Sequence, residues 1–386
     1  MRIWHTSDWH LGRTFHQLDL RASHAAYLTH LVEAVQREAI DVVLLAGDCF
    51  DRVYPPLSAV SQLHEVLREL TRHTTVVITS GNHDSPTRLG MLAGLTCERL
   101  HLITTIEAGT TPLVLTGRDG HQIALCALPY LGVDASRREL AAADGSLPER
   151  SHQAVMDAAV ARICANLEPL RATYGSIPVV IAAHAFVAGA RASQSERDIR
   201  IGGLDRIAAN TFDPANPSYV ALGHLHRPQD ITGGSCPIRY SGSPLALSFS
   251  EATDVKSSTI ASITADSLTL RQIPAPVTHP LREIRGQLEE LLTLEIDADT
   301  WVKAVVRDNV RPPRAWAQLR ERIPGLVVLS WEPEEPQATD FSLPQATRNQ
   351  PLAVAEAFFA HVRPQATLSE SEAALVRAAY ETVREQ

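Results

Sequence analysis

Thiol chemistry is nearly missing from this chain. Its five cysteines, Cys49, Cys97, Cys126, Cys164 and Cys236, are an odd number scattered over 386 residues, and no two stand as C-x-x-C. That pattern argues against a disulfide scaffold or a thiolate zinc site, and the cysteines read as small apolar packing residues. Long apolar runs are missing too. No stretch approaches the ~20 residues that a bilayer-spanning helix needs, so no membrane contact is expected. Met1-Arg-Ile-Trp-His-Thr-Ser-Asp enters a strand pattern at once, without the apolar core of a secretory signal. The expected location is therefore the cytoplasm. Positive charge is also scarce: 35 Lys and Arg stand against 44 Asp and Glu, for a net charge of −9. The chain has no global basic footprint for nucleic acid. Any contact with DNA has to come from a local patch or from bound cations, whose charge this count omits.

What the chain does have is length and order. At 386 residues it can hold two to three domains. Up to about residue 230, short apolar runs alternate with segments of helical period, which marks an α/β fold. Strands are expected at 1–6, 41–46, 76–79, 112–115, 122–128, 178–183 and 219–222. Helices are expected at 22–38, after Pro55-Pro56, and over 151–173. A hairpin within 257–273 closes this unit, and Ile273-Pro-Ala-Pro276 reads as a hinge. Beyond it the pattern is β-α-β-α-β over 279–331, followed by a polar, Pro- and Gln-rich stretch. Two terminal helices carry apolar stripes: Leu352, Ala355, Phe359 and Val362 on one, Leu375, Val376, Ala379, Tyr380 and Val383 on the other. The second follows a capping box, Ser369-Glu-Ser-Glu372. The expected organisation is a catalytic domain over 1–274, a capping domain over 275–335, a linker over 336–350 and C-terminal helices over 351–386.

The chemistry collects at strand ends. Five apolar runs stop abruptly and deliver polar side chains: Asp8-Trp-His10, Gly47-Asp48, Gly81-Asn-His-Asp84, His184 and Gly223-His-Leu-His226. Ligands in open α/β sheets sit at the carboxyl ends of strands. Asp8 and His10 lie two apart, as do His224 and His226, so each pair leaves an extended segment on one side. Asp8, His10, Asp48, Asn82, His184, His224 and His226 offer two carboxylates, one amide oxygen and four imidazoles. This mixed nitrogen and oxygen set suits manganese, iron or zinc, and nothing in it favours copper(I) or an iron–sulfur cluster. Seven ligands exceed what one catalytic ion with an open position takes. They match two ions sharing a carboxylate, as in two-metal hydrolases.

Each residue taken singly has a plainer reading. A lone His at a strand end is usually a surface or hydrogen-bonded residue, and the chain has 16. An Asp after Gly is usually a turn residue. Asn82 in Gly-Asn-His-Asp would suit a tight turn, because Asn tolerates left-handed φ. It is the repetition at five strand ends that turns isolated residues into a metal site. Asp51-Arg52-Val53-Tyr54 and the arginines Arg191, Arg197 and Arg200 remain open between a phosphate-backbone contact and an ordinary solvated loop.

In this order the motifs resemble the calcineurin-like metallophosphoesterases, whose pattern runs D-x-H, G-D, G-N-H-D, a single H, then G-H-x-H. A closer likeness, to bacterial DNA-nuclease members of that family, rests on Thr6-Ser-Asp-Trp-His-Leu-Gly12 and on His184-Ala-Phe-Val-Ala-Gly-Ala190. Ser195-Glu-Arg197 with Gly202-Gly203, and Tyr240-Ser-Gly-Ser-Pro244 through Leu247-Ser-Phe-Ser-Glu251, extend it. The resemblance implies a two-sheet sandwich flanked by helices, plus a small α/β capping domain and C-terminal helices. It implies that Asp8, His10, Asp48 and His226 hold one ion. Asp48 would bridge to a second, held with Asn82, His184 and His224. His83 would act on the scissile phosphodiester without binding metal, and Asp84 would fix its orientation and protonation state.

The implied activity is manganese-dependent hydrolysis of DNA, as a 3′→5′ double-strand exonuclease and a single-strand or hairpin endonuclease, in repair, recombination and replication. The implied partners are DNA, a coiled-coil ATPase bound through the terminal helices, and a second copy of the chain within a heterotetramer. Two alternatives are a small-molecule phosphodiesterase or phosphatase on the same fold, and a metal-free scaffold. The segment beyond Pro274 argues against the first, and the complete ligand set against the second.

Overall fold

The longest apolar runs have a simple origin: the inner strands of the sheets are buried on both faces. The computed structural model describes residues 1–95, 97–196, 206–334, 350–362 and 369–384. Two six-stranded sheets dominate it. The first runs Leu268–Pro274, Ser257–Ile263, Arg2–Thr6, Val42–Ala46, Thr75–Thr79, Leu100–Ile103 in spatial order. The second runs Gln229–Ile231, Ile238–Tyr240, Tyr219–Gly223, Val179–His184, Gln122–Leu128, Leu113–Thr116.

The sheets meet face to face. Ile3, Leu44 and Val77 of the first pack on Leu125, Val180 and Ala221 of the second. Their neighbours in sequence point the other way. Trp4, Val43 and Val76 pack beneath helices Arg21–Arg37 and Leu57–His73, against Leu31, Leu63 and Leu70. On the far side, Val155, Ala159 and Ile163 of helix His152–Tyr174 cover Cys126, Ile181 and Val220. The result is a four-layered sandwich, helices outside and sheets within, as expected for the fold class.

Register places the site. Thr6 pairs with Leu45, Ala46 with Thr79, and Gly223 with His184, all in parallel. The carboxyl ends of five strands are thus flush along one edge of the sandwich, and the residues just beyond them share one volume.

A third, smaller sheet holds the parallel strands Leu281–Gly286, Trp301–Val306 and Leu326–Trp331. Helices Leu288–Leu292 and Ala315–Arg322 close its own core around Ile284, Leu291, Val302 and Leu319. It is seated on the sandwich through an aromatic seam. Trp301 stacks on Phe15 at 5.1 Å between ring centroids and on His279 at 4.4 Å. The composition break at Ile273-Pro-Ala-Pro276 is not a loose hinge: strand pairing continues to Pro274, and Ala275 N donates to the Lys256 carbonyl at 2.8 Å.

The strand Leu100–Ile103 and the hairpin Thr14–Phe15 with Leu18–Asp19 were not legible as elements. Each is too short to show a period. The expected linker lies outside the described residues save for Gln350, as do Arg197, Arg200, Gly202 and Gly203. Helices Pro351–Val362 and Glu370–Arg384 are present. Ser369 and Glu372 bond reciprocally as a capping box, with Ser369 N to Glu372 Oε2 at 2.9 Å and Glu372 N to Ser369 Oγ at 3.3 Å. Among the described residues no helix is long and apolar enough to cross a membrane.

Candidate active site

The turns that carry the polar residues are unusual in their backbone. Asp8 (φ 53°), His10 (φ 47°), Asp48 (φ 51°) and His224 (φ 104°) all lie at positive φ. Residues other than glycine adopt this region rarely, at a cost of order 1–3 kcal/mol each, and mostly where surrounding structure enforces it. Here the enforcement is visible: Asp8 N donates to the Gly47 carbonyl and His10 N to the Asp48 carbonyl, both at 3.0 Å. Two glycines permit the crowding. A Cβ on Gly81 would strike the Asp48 side chain, and one on Gly223 the Ala46 carbonyl.

The seven expected ligands converge. Asp48 Oδ2 lies 3.4 Å from His184 Nε2 and 3.6 Å from His10 Nε2. His10 Nε2 faces His226 Nε2 at 3.1 Å. Asn82 Oδ1 lies 2.9 Å from His184 Nε2 and 3.2 Å from His224 Nδ1. Both oxygens of Asp8 accept from His224 N at 3.1 Å. Ligand atoms of Asp8, His10 and His226 lie within 4.8 Å of one another, as do those of Asp8, Asp48 and His184. A third such set, His10, Asp48 and His83, includes the residue expected to stay off the metal.

Burial dominates the electrostatics. It holds His10 and His224 well below the ordinary histidine range and raises the Asp8 carboxyl. Burial also opposes ionising Asp48 and His184, but each stabilises the other's charge. Asp48 is held well below the usual carboxylate range, and His184 is lifted to about 9.

The donor set fits divalent cations. Two imidazole nitrogens facing each other at 3.1 Å share one proton or flank a cation. Among the described residues the buried Asn82 Nδ2 has no hydrogen-bond partner, so its amide presents oxygen, the ligating atom, to the two imidazoles. Lone pairs directed inward with too few protons between them suit a cation better than an empty core.

His83 and Asp84 part company. His83 Nδ1 lies 2.7 Å from the Asp51 carbonyl oxygen, and His83 N donates to Asp48 Oδ1 at 2.8 Å. Its Nε2 stands 4.0 Å from Asp48 Oδ2, at the edge of the cluster. The orienting role expected of Asp84 is corrected in form. Its carboxylate accepts from the backbone N–H of Cys49 (3.1 Å), Phe50 (2.9 Å) and Gly81 (2.9 Å), and makes no bond to the His83 ring. Burial, with the nearby Asp48 charge, pushes Asp84 up to about 6 against these three donors. Asp84 ties the Asp48 loop to the Gly81 turn.

Sequence reasoning passed over the layer behind His226. Its Nδ1 lies 2.5 Å from Ser195 Oγ, and its N–H donates to Glu196 Oε1 at 2.9 Å. Glu251 and Lys256 are buried close by. The motifs containing Ser195 and Glu251 carried the resemblance, but no spacing rule linked them to His226, which lies 31 residues from Ser195. Of the open arginines, Arg191 lies in the described region, where its backbone N–H donates to Gln229 Oε1 at 2.8 Å.

Comparison with known proteins agrees with this geometry. Residues 1–132 match the family described as calcineurin-like phosphoesterase, and residues 277–363 one described as type 5 capsule protein repressor C-terminal domain. The chain is 32% identical over 322 residues to the D subunit of the nuclease SbcCD of Escherichia coli (strain K12), covering 83% of this chain and 77% of that protein. It is 39% identical to the Bacillus subtilis (strain 168) protein of the same name over 67% of this chain and 66% of the relative. To that of Rhodobacter capsulatus it is 34% identical, over 75% and 76% respectively.

Proposed function

The chain belongs to the SbcD family, the D subunits of SbcCD nucleases, and from that premise we infer that it cuts DNA phosphodiesters with two divalent cations, manganese in the first instance. The observation that carries the two-ion reading is Asp48, a buried carboxylate whose Oδ2 stands between His184 Nε2 and His10 Nε2. Asp8, His10, Asp48 and His226 would hold one cation; Asp48, Asn82, His184 and His224 the other. Bound there, the pair supplies positive charge against the phosphate oxygens and lowers the pKa of the attacking water.

The chain's own residues do the rest. With Nδ1–H donated to the Asp51 carbonyl, His83 presents Nε2 to the scissile phosphodiester; as the imidazolium, with its second proton on Nε2, it gives that proton to the leaving 3′ oxygen and is left as the neutral Nδ1–H ring. Asp84 holds the two turns in register by its three amide contacts. Its place is that of a positioning residue.

The activity we propose is 3′→5′ exonuclease action on double strands and endonuclease action on single strands and hairpins, in the cytoplasm, serving repair, recombination and replication. The 275–335 segment acts as the cap over DNA. Through residues 351–386 the chain docks an SbcC-type ATPase with a coiled coil, a reading supported by Phe358 and Leu375, which are 51% and 71% exposed. For pairing of two copies within a heterotetramer, the support is an apolar groove of about 640 Å³ lined by Tyr54, Leu57, Val60, Leu67 and Met91. Three of these, Tyr54, Leu57 and Met91, are at least 70% exposed.

The test sets plasmid and hairpin DNA against a chromogenic phosphodiester, with manganese present. Cleavage of DNA is expected. Turnover of the small ester with DNA left intact would favour a small-molecule phosphodiesterase on the same fold.

A further inference from the structure

Behind the cluster of strand-end residues lies a buried chain of polar groups that the phosphodiesterase reaction does not itself require. Ser195 Oγ stands 2.5 Å from His226 Nδ1 and donates to Glu251 Oε1. Glu251 is fully buried. Its other oxygen accepts from Lys256 Nζ at 2.5 Å and from Leu247 N at 3.1 Å, and Ser248 Oγ donates to Oε1 at 3.0 Å. Lys256 in turn donates to the His226 carbonyl at 2.7 Å and to Ser243 Oγ at 3.0 Å. The histidine is therefore gripped at ring and backbone by one network.

Proton counting fixes the direction. A carboxylate beside a buried ammonium is acceptor only, so the single hydroxyl proton of Ser195 goes to Glu251. Ser195 Oγ then has only lone pairs left for the imidazole, and His226 must carry its proton on Nδ1. Its Nε2, the atom that faces His10 Nε2 at 3.1 Å, is left with a free lone pair. A ring nitrogen donated to a carboxylate or its relay is how metal-ligating histidines are commonly held in one tautomer and orientation.

We propose that Ser195 and Glu251 are positioning residues that hold His226 as the Nδ1–H tautomer and so set the strength of one of the two cation sites. Neither touches the reacting atoms. The two sites respond unequally, because His224 and His184 have no share in this network: His184 Nδ1 is held instead by the Ala46 carbonyl at 2.9 Å.

The inference rests on the two-cation reading, and the experiment separates the two. Full-length protein is stripped with chelator and titrated with manganese by calorimetry. Two binding events are expected for the wild type; none would overturn the cation reading itself. In Ser195→Ala one site is expected to weaken about 10- to 100-fold while the other is unchanged. Glu251→Gln should do the same, and Ser195→Thr should restore the lost affinity. Wild-type affinities in Ser195→Ala, or equal weakening of both sites without rescue by Thr, would overturn the proposal. A second measurement needs no variant that perturbs the network. In ¹⁵N-histidine-labelled wild-type protein under chelator, the His226 signal, identified by its absence in His226→Gln, is expected to show Nδ1–H. An Nε2–H signal would overturn the relay whatever the titrations give.

Discussion

His83 turns its Nδ1 atom to the backbone carbonyl oxygen of Asp51, 2.7 Å away, and not to the carboxylate of its neighbour Asp84. A carbonyl can only accept, so this bond holds the ring with a proton on Nδ1 and leaves Nε2 for substrate. In His83→Ala, DNA cleavage is expected to fall by ~10²–10⁴-fold, the usual weight of a positioned acid or base, with two manganese ions retained per chain. Metal analysis beside the cleavage assay checks this. Because His83 also stands near His10 and Asp48, loss of an ion in this variant would reassign it as a ligand.

Asp84 holds three backbone amides, those of Cys49, Phe50 and Gly81. Asp84→Ala leaves all three buried donors without partners, each worth roughly 1–3 kcal/mol. A loss of at least ~3 kcal/mol is expected in urea denaturation under chelator, which removes any contribution from metal. Asp84→Asn keeps an acceptor oxygen and should lose less. Equal losses for both variants would show that charge, and not hydrogen bonding, is what the position requires.

Much of this was legible in the order of residues alone. The strand ends could be read because each follows a continuous apolar run, and two buried faces demand such a run whatever the rest of the fold does. The candidate ligands could be picked out because the same chemistry recurs at five strand ends. What could not be read depends on contacts between distant segments. The Asp51 carbonyl as partner of His83 leaves no side-chain signature. Glu251 and Lys256 look like ordinary surface charges until folding buries them together. The seam of Phe15 on Trp301 joins residues nearly 300 apart, and only tertiary packing brings them into contact.

His5 should make the protein acid-sensitive. It is wholly buried, its Nδ1 lying 2.8 Å from Tyr219 Oη and its Nε2 3.1 Å from the Leu222 carbonyl, and burial lowers its pKa to about 3. The native state then binds fewer protons than the unfolded state between pH 3 and 6.5. The stability tied to a neutral His5 is fully present above 6.5 and is lost as pH falls toward 3. Roughly 2 kcal/mol should be gone by pH 5. Denaturant unfolding from pH 7 to 5, under chelator, should therefore show a shallower decline in His5→Gln than in the wild type. Parallel declines would rule out His5 as the source.

Deleting residues 350–386 should separate cutting from partnership. Described contacts of the cluster end at Lys256, so manganese-dependent nicking by the truncated chain is expected at the wild-type rate. Capture of the ATPase subunit in a pull-down should be lost. Retention of that capture would move the docking surface elsewhere.

The division of the candidate ligands between the sheets has a consequence for how the activity comes into being. Asp8, His10, Asp48 and Asn82 hang from the first sheet, and His184, His224 and His226 from the second. The Glu251 and Lys256 pair behind them arrives later still in the chain. No stretch of the chain that lacks either sheet, and no fragment released by a protease from one side of the molecule, holds all seven candidate ligands. A nuclease built this way is expected to stay idle until both sheets have emerged from the ribosome and paired, and to fall idle again once a protease parts them. It becomes dangerous to a chromosome only as a finished, closed sandwich.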